Sequence, residues 1–173
     1  MSPGPHRMHG LRGLQRADLP ALMALQALAY GAALVEPAPA MAQRLAITPQ
    51  TVWGLFEASG EMSAYLLAYR SVPGAVAPLH HPFEPAPQPT ALYLHDLAVH
   101  PGAQGLGLGP RLVAAALALA GAEGLSGLGL VAVQGSQPFW RRQGFQDSRP
   151  DAASQATLAG YGEGAAYLWR SLP

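Results

Sequence analysis

Cysteine is missing from the chain. That absence removes disulfides, thiolate nucleophiles and zinc–thiolate sites at a stroke. Lysine is missing as well, since all ten cationic side chains are arginine. We read this as base-composition bias rather than chemistry, yet it excludes a P-loop, which needs Lys before Ser or Thr. Charge is scarce at 12%, and acids balance bases to a formal net charge of zero. The chain therefore carries no electrostatic footprint for nucleic acid and no basic patch for a membrane surface. An apolar run of membrane-spanning length is also lacking. The stretch Leu19 to Val35 imitates a signal peptide, with Arg7, Arg12 and Arg16 before it and Ala38-Pro39-Ala40 after it. Pro20, Gln26 and Tyr30 interrupt it, so an internal helix is expected, capped by Asp18 with Pro20 in its first turn. The cytoplasm fits these absences.

Half of the 173 residues are hydrophobic, enough for one domain with a real core. Residues 1–10 read as a flexible tail and 11–173 as the domain. Strands are expected over Leu11–Gln15, Thr51–Glu57, Ser63–Arg70, Leu92–Val99, Leu128–Val133 and Ala165–Leu172. The second and third form a hairpin through Ser59-Gly60. Helices are expected up to about Tyr30, over Met41–Ile47, over Pro110–Ala120, and from a Ser136 cap to Gly144. Six prolines between Pro73 and Pro89 stiffen a long loop. The order predicts an α/β (α+β) domain around one mixed sheet.

The segment Leu92 to Arg111, LYLHDLAVHPGAQGLGLGPR, is the most informative. A strand turns through Pro101-Gly102 into Gln104-Gly105-Leu106-Gly107-Leu108-Gly109, and a helix follows at Pro110. Glycines let backbone amides face an anion with no Cβ in the way, and the helix N-terminus adds positive potential. Pro110 costs little there, because its missing amide would go unpaired by the helix anyway. The dinucleotide fingerprint G-x-G-x-x-G fits poorly. Pro110 stands where its third glycine belongs, and only Glu123 could serve as the ribose acid.

Gln104-x-x-Gly107-x-Gly109 after Leu97-Ala98-Val99 resembles the acetyl-CoA loop of the GNAT acetyltransferase superfamily. Phe139-Trp140-Arg141-Arg142-Gln143-Gly144-Phe145 is similar to that family's F-Y-x-x-x-G-F element. The resemblance covers roughly residues 92–146. It implies a mixed, mostly antiparallel central sheet flanked by helices, splayed beside the loop. It also implies acetyl-CoA as co-substrate, held by Leu97, Ala98, Val99, Gln104, Gly105, Leu106, Gly107, Leu108, Gly109 and Pro110. Ser136, Phe139, Trp140 and Arg142 would contact it from the following junction. No metal is implied.

The strand Leu92-Tyr93-Leu94-His95-Asp96-Leu97-Ala98-Val99 resembles two branches of that family. In the arylalkylamine acetyltransferases a strand His aids proton removal, and in the polyamine acetyltransferases carboxylates stand at these places. An alkylamine is only about 10⁻³ neutral at pH 7, so a base helps. Histidine as a residue type has an unperturbed pKa suited to that task, which makes His95 the candidate base. Strict alternation puts Tyr93, His95, Leu97 and Val99 on one face and Asp96 on the other. Asp96 is expected to orient His95 or to bind a cationic acceptor. Trp140 departs from the family, which often has a proton-donating Tyr there, and indole cannot replace it. Tyr93 or Tyr161, a water, or departure of the thiolate unprotonated are the alternatives.

The expected function is acetyl transfer to a primary amine, favouring a small molecule, by direct attack in a ternary complex. Without Cys no acetyl-cysteine intermediate can form. The competing reading is a non-catalytic acyl-CoA-binding domain, and a homodimer is an open expectation. Tyr30–Thr48 and Pro73–Pro89 should flank the acceptor cleft, with Glu36 and Glu84 as its acids or as surface charges. His80-His81 and His6-x-x-His9 read as solvated or tail residues rather than metal ligands. His100 reads as a turn residue. Trp53, Phe56, Tyr65 and Tyr69 read as core.

Overall fold

The computed structural model describes residues 8–173. Of the tail expected over residues 1–10, residues 1–7, His6 among them, lie outside the described residues. The tail reading fails at His9 and Gly10. His9 Nε2 lies 3.1 Å from Ser63 Oγ, and Arg111 donates to the His9 carbonyl at 2.9 Å. Strand β1 starts at Gly10 and runs Gly10–Gly13.

Helix α1 (Leu19–Ala29) and α2 (Ala38–Ile47) follow, then strands β2 (Val52–Phe56), β3 (Met62–Ser71) and β4 (Ala91–Val99). Helix α3 (Leu108–Ala122), β5 (Gly127–Ala132), α4 (Gln137–Arg142), β6 (Gln146–Asp147), α5 (Ala152–Ala159) and β7 (Ala166–Ser171) complete the chain. The sequence reading missed β6 and α5, and began α3 two residues late. Asp18 precedes α1 without a side-chain cap bond to it. Its carboxylate instead takes Arg12 and the Gln15 amide. Ser136 likewise makes no cap bond to α4. No helix among the described residues is long and apolar enough to cross a membrane.

The strands form one sheet in the order β1-β2-β3-β4-β5-β7-β6. Every neighbouring pair is antiparallel except β4 and β5. Two apolar layers sandwich the sheet. One gathers α3 and α4 over Leu66, Leu92, Leu94 and Leu128. The other gathers α1, α2 and the proline-rich loop over Tyr65, Leu67, Tyr69 and Tyr93. The aromatic set read as core is core: Tyr65, Tyr69 and Phe56 are buried, and Trp53 packs against the α3 layer.

Two irregularities in β4 set up everything that follows. Its parallel pairing with β5 covers only Ala91–Leu94 against Gly127–Leu130, so the strands part at His95. On the other side, the pairing with β3 steps from Leu67↔Asp96 to Ala68↔Leu94, which leaves His95 as an extra residue. That is a β-bulge, and it resets the alternation beyond it.

Candidate active site

The bulge corrects the alternation expected from sequence. Tyr93 and Ala98 pack in the α1/α2 layer, and Leu97 and Val99 pack with the α3 layer. His95 lies edge-on to Phe83, and Asp96 accepts a 2.8 Å bond from Tyr65; both partners belong to the α1/α2 layer. The extra residue therefore turns His95 and Asp96 to the same face, where strict alternation had opposed them.

Where β4 and β5 part, a cavity of about 270 Å³ opens. Its lining comes from both layers, so it passes through the sheet. Tyr30, Glu36, Leu79 and Tyr161 line one end, and Gln104, Ser136, Phe139 and Trp140 the other. His95, Asp96, Leu97, Ala98 and Val99 form the wall between. Gly105, Leu106, Gly107, Leu108, Gly109 and Pro110 adjoin it as the loop and the start of α3. Arg142 is exposed outside the lining, and Tyr93 is buried in the core behind it.

The buried Glu36 carboxylate anchors His95. Arg44, fully buried in the second turn of α2, pairs with both Glu36 oxygens, one contact being 2.7 Å. The His80 amide donates to Oε1 at 2.8 Å, and His95 Nε2 meets Oε2 at 2.9 Å. Gln26 clamps the Glu36 backbone through two further bonds. Burial pushes the Glu36 carboxyl up, but the bonds from His95 and Arg44 outweigh it and hold the group below its ordinary range. An ionised carboxylate only accepts, so His95 Nε2 carries a hydrogen, and in the neutral imidazole Nδ1 then presents the lone pair.

Two buried side-chain atoms on this wall have no hydrogen-bond partner among the described residues: His95 Nδ1 and Asp96 Oδ1. Asp96 is 6% exposed, and burial raises its carboxyl above the ordinary value, against the opposing pull of His95, Tyr30 and Tyr65. Tyr30 donates to the Leu97 carbonyl at 2.7 Å on the parted edge of β4. Burial, then the nearby Asp96, raise its hydroxyl well above the ordinary value. Tyr161 donates to the Ala77 carbonyl in the proline-rich loop.

The other end suits an anion on a flexible arm. Gly105 and Gly107 have φ of 80° and 73°, and a Cβ at either would meet nothing within 4 Å. Among the described residues the amides of Gly107, Leu108 and Gly109 have no carbonyl partner, as expected at the start of a 15-residue helix. Gly109 serves differently: a Cβ there would sit 3.1 Å from the Phe139 ring. This contact locks the loop against α4. Trp140 is 7% exposed and stacks edge-on with Phe139 and Phe145, so it is a packing residue as well as a wall residue. These residues fit a CoA pyrophosphate and pantetheine.

Of the acids expected at the cleft, Glu84 is exposed outside the lining, while Glu36 is buried rather than a surface charge. His80 and His81 are exposed side chains whose backbones serve Glu36 and Arg44. His100 accepts from the Gly102 amide and lines the turn, as expected. No cluster of potential metal ligands occurs among the described residues. Sequence reasoning missed Arg44, Gln26 and the Tyr30–Leu97 contact, which no spacing along the chain announces.

None of the curated proteins matches the chain in sequence. Solved structures do match in fold. The GphF GNAT-like decarboxylase in complex with isobutyryl-CoA is 23% identical, with a TM-score of 0.70, over 95% of this chain and 100% of that one. The loading GNATL domain of CurA from Lyngbya majuscula is 16% identical, with a TM-score of 0.74, over 94% and 97%. The ribosomal-protein-S18-alanine N-acetyltransferase from Escherichia coli is 16% identical, with a TM-score of 0.68, over 95% and 94%. The family model described as Acetyltransferase (GNAT) family matches residues 19–145, from α1 through the parted strands to Phe145. The chain belongs to the GNAT acetyltransferase family, whose fold supports acyl transfer from acyl-CoA.

Proposed function

We propose that the protein transfers an acetyl group from acetyl-CoA to the primary amine of a small molecule, by direct attack in a ternary complex. The observation that carries this reading is the pair of buried, unpartnered acceptors on one wall, His95 Nδ1 and Asp96 Oδ1. Leaving such atoms unpaired costs about 1–3 kcal/mol each, and a primary ammonium offers enough donors to serve both. Asp96 holds the ammonium. His95 Nδ1 takes the proton that must leave before the nitrogen can attack. The nitrogen then bonds to the thioester carbon as the carbon–sulfur bond breaks. The second proton, shed as the amide forms, neutralises the departing thiolate, and His95 returns its own to solvent. No tyrosine is needed at position 140, because a thiolate of pKa about 8.5 is a tolerable leaving group.

Acyl-CoA-dependent thiol release against arylalkylamines, polyamines, amino acids and short peptides tests the reading. The chain has no thiol of its own to react with the dye. Release with a primary amine, and an acetylated amine in the mass spectrum, is the expected result. Trp140 favours a second reading, an acyl-CoA-binding domain without turnover. Binding of acetyl-CoA with no release above the amine-free blank would select it.

A further inference from the structure

We propose that the acceptor is a monocationic primary amine on a short apolar stem, lacking a carboxylate and a second ammonium. This rests on the amine-acylation reading above and narrows it. Among the described residues, the titratable acids and bases lining the cavity, its tyrosines aside, are Glu36, His95 and Asp96, and no arginine is among them. Glu36 is already spent: its two oxygens take Arg44, the His80 amide and His95. One carboxylate oxygen, Asp96 Oδ1, is left for a cation. The site therefore has charge for one ammonium.

Toward the α1 end the lining is uncharged. Leu28 and Ala29 at the end of α1, Leu34 beyond it and Leu79 from the proline-rich loop make its apolar part, and Tyr30, Gln134 and Tyr161 are its neutral polar side chains. Leu28 is 58% exposed and stands at the mouth. A second ammonium, or a carboxylate, would lie against these side chains with no opposite charge to offset its lost hydration. A methylene there instead gains about 0.8 kcal/mol, or about fourfold per group in kcat/KM while the wall lasts. The acyl arm shares the same cavity of about 270 Å³, which keeps the stem short.

The test is a matched series at saturating acetyl-CoA: alkyl- and phenylalkylamines, α,ω-diamines and ω-amino acids of equal chain length. The monoamines should gain in kcat/KM with stem length, and the diamine and amino acid of equal length should fall at least tenfold below. A diamine or amino acid equal to its monoamine would overturn the proposal. A gain-of-function arm uses Leu28→Asp, which adds a carboxylate at the exposed mouth. It should raise diamines relative to monoamines, and an unchanged ratio counts against the apolar wall. Failure of amine acylation itself is separable, because the same compounds are run as thermal-shift ligands with CoA present. If nothing is acetylated but monoamines alone raise the melting temperature, the acceptor class holds and the reaction falls. If no amine raises it, both fall.

Discussion

Four donors converge on the Glu36 carboxylate, and together they dictate what His95 can do. The bonds from His95 and Arg44 keep the group ionised, the His80 amide adds a further donor, and the ionised group orients the neutral His95 ring with its Nε2–H toward the carboxylate. Glu36 is thus a positioning residue that acts through His95. Glu36→Gln should lower kcat and leave the acetyl-CoA KM unchanged. In a His95→Gln background it should cost nothing further, and additive losses in that double mutant would show that Glu36 acts elsewhere. Its folded carboxyl lies below the ordinary 4.5, so its stabilisation is present above that pH and fades as pH falls through the folded value. Urea midpoints should therefore drop more steeply below pH 4.5 in the wild type than in Glu36→Gln. Asp96 has the opposite sign. Its carboxyl is raised by burial, so the folded state loses stability as pH climbs from 3.8 through the raised value. Asp96→Asn should melt higher than wild type at pH 8 while acetylating amines poorly. A lower melting point would deny that the carboxylate is held at a cost. Arg44→Ala, by leaving Glu36 buried and alone, should destabilise by about 3–5 kcal/mol, readable in the same urea titration.

Among the elements, β4 carries the candidate site and the glycine loop is the proposed seat of the donor substrate. The loop, helix α3 and the α4 stop were legible in the sequence, because glycine with positive φ and proline in a first turn mark backbone geometry directly. The bulge was not. It depends on how β4 pairs with β3, and alternation along one strand cannot report that. His95 was found from residue type and resemblance, but the face of Asp96 came out reversed for this reason. Helix α5 was missed because it shows no apolar stripe and buries only Ser154. Gly107 and Gly109 make separable demands, one conformational and one of space. Gly107→Ala forces a Cβ into φ of 73° and should cost about 1–2 kcal/mol, with acetyl-CoA binding weakened. Gly109→Ala meets Phe139 at 3.1 Å and should disturb the loop unless that ring moves. A paired Phe139→Leu should restore binding to Gly109→Ala but not to Gly107→Ala, as calorimetry would show.

For the molecule as a whole, the site exists because three distant stretches meet at one gap in the sheet. Glu36 and Arg44 come from the α1–α2 region, His80 from the proline-rich loop, and His95 and Asp96 from β4. Such contacts across the chain leave no local signature, which is why Glu36 read more readily as a surface charge than as a cleft acid. The proline-rich loop looked from sequence like a flank of the cleft, and it is stapled there by bonds from Gly74, Val76 and Ala86 to Tyr167, Ser154 and Arg70. Ligand linkage should follow the glycine loop: acetyl-CoA at 100 times its Kd should add about 2.7 kcal/mol of stability, and NADH should add none. The central claim is that Nδ1 of His95 removes the amine proton, and the direct measurement is kcat of His95→Gln beside its acetyl-CoA affinity. A fall of about 10²-fold or more in kcat, with affinity unchanged, is the predicted result. Wild-type turnover across the pH range would contradict it.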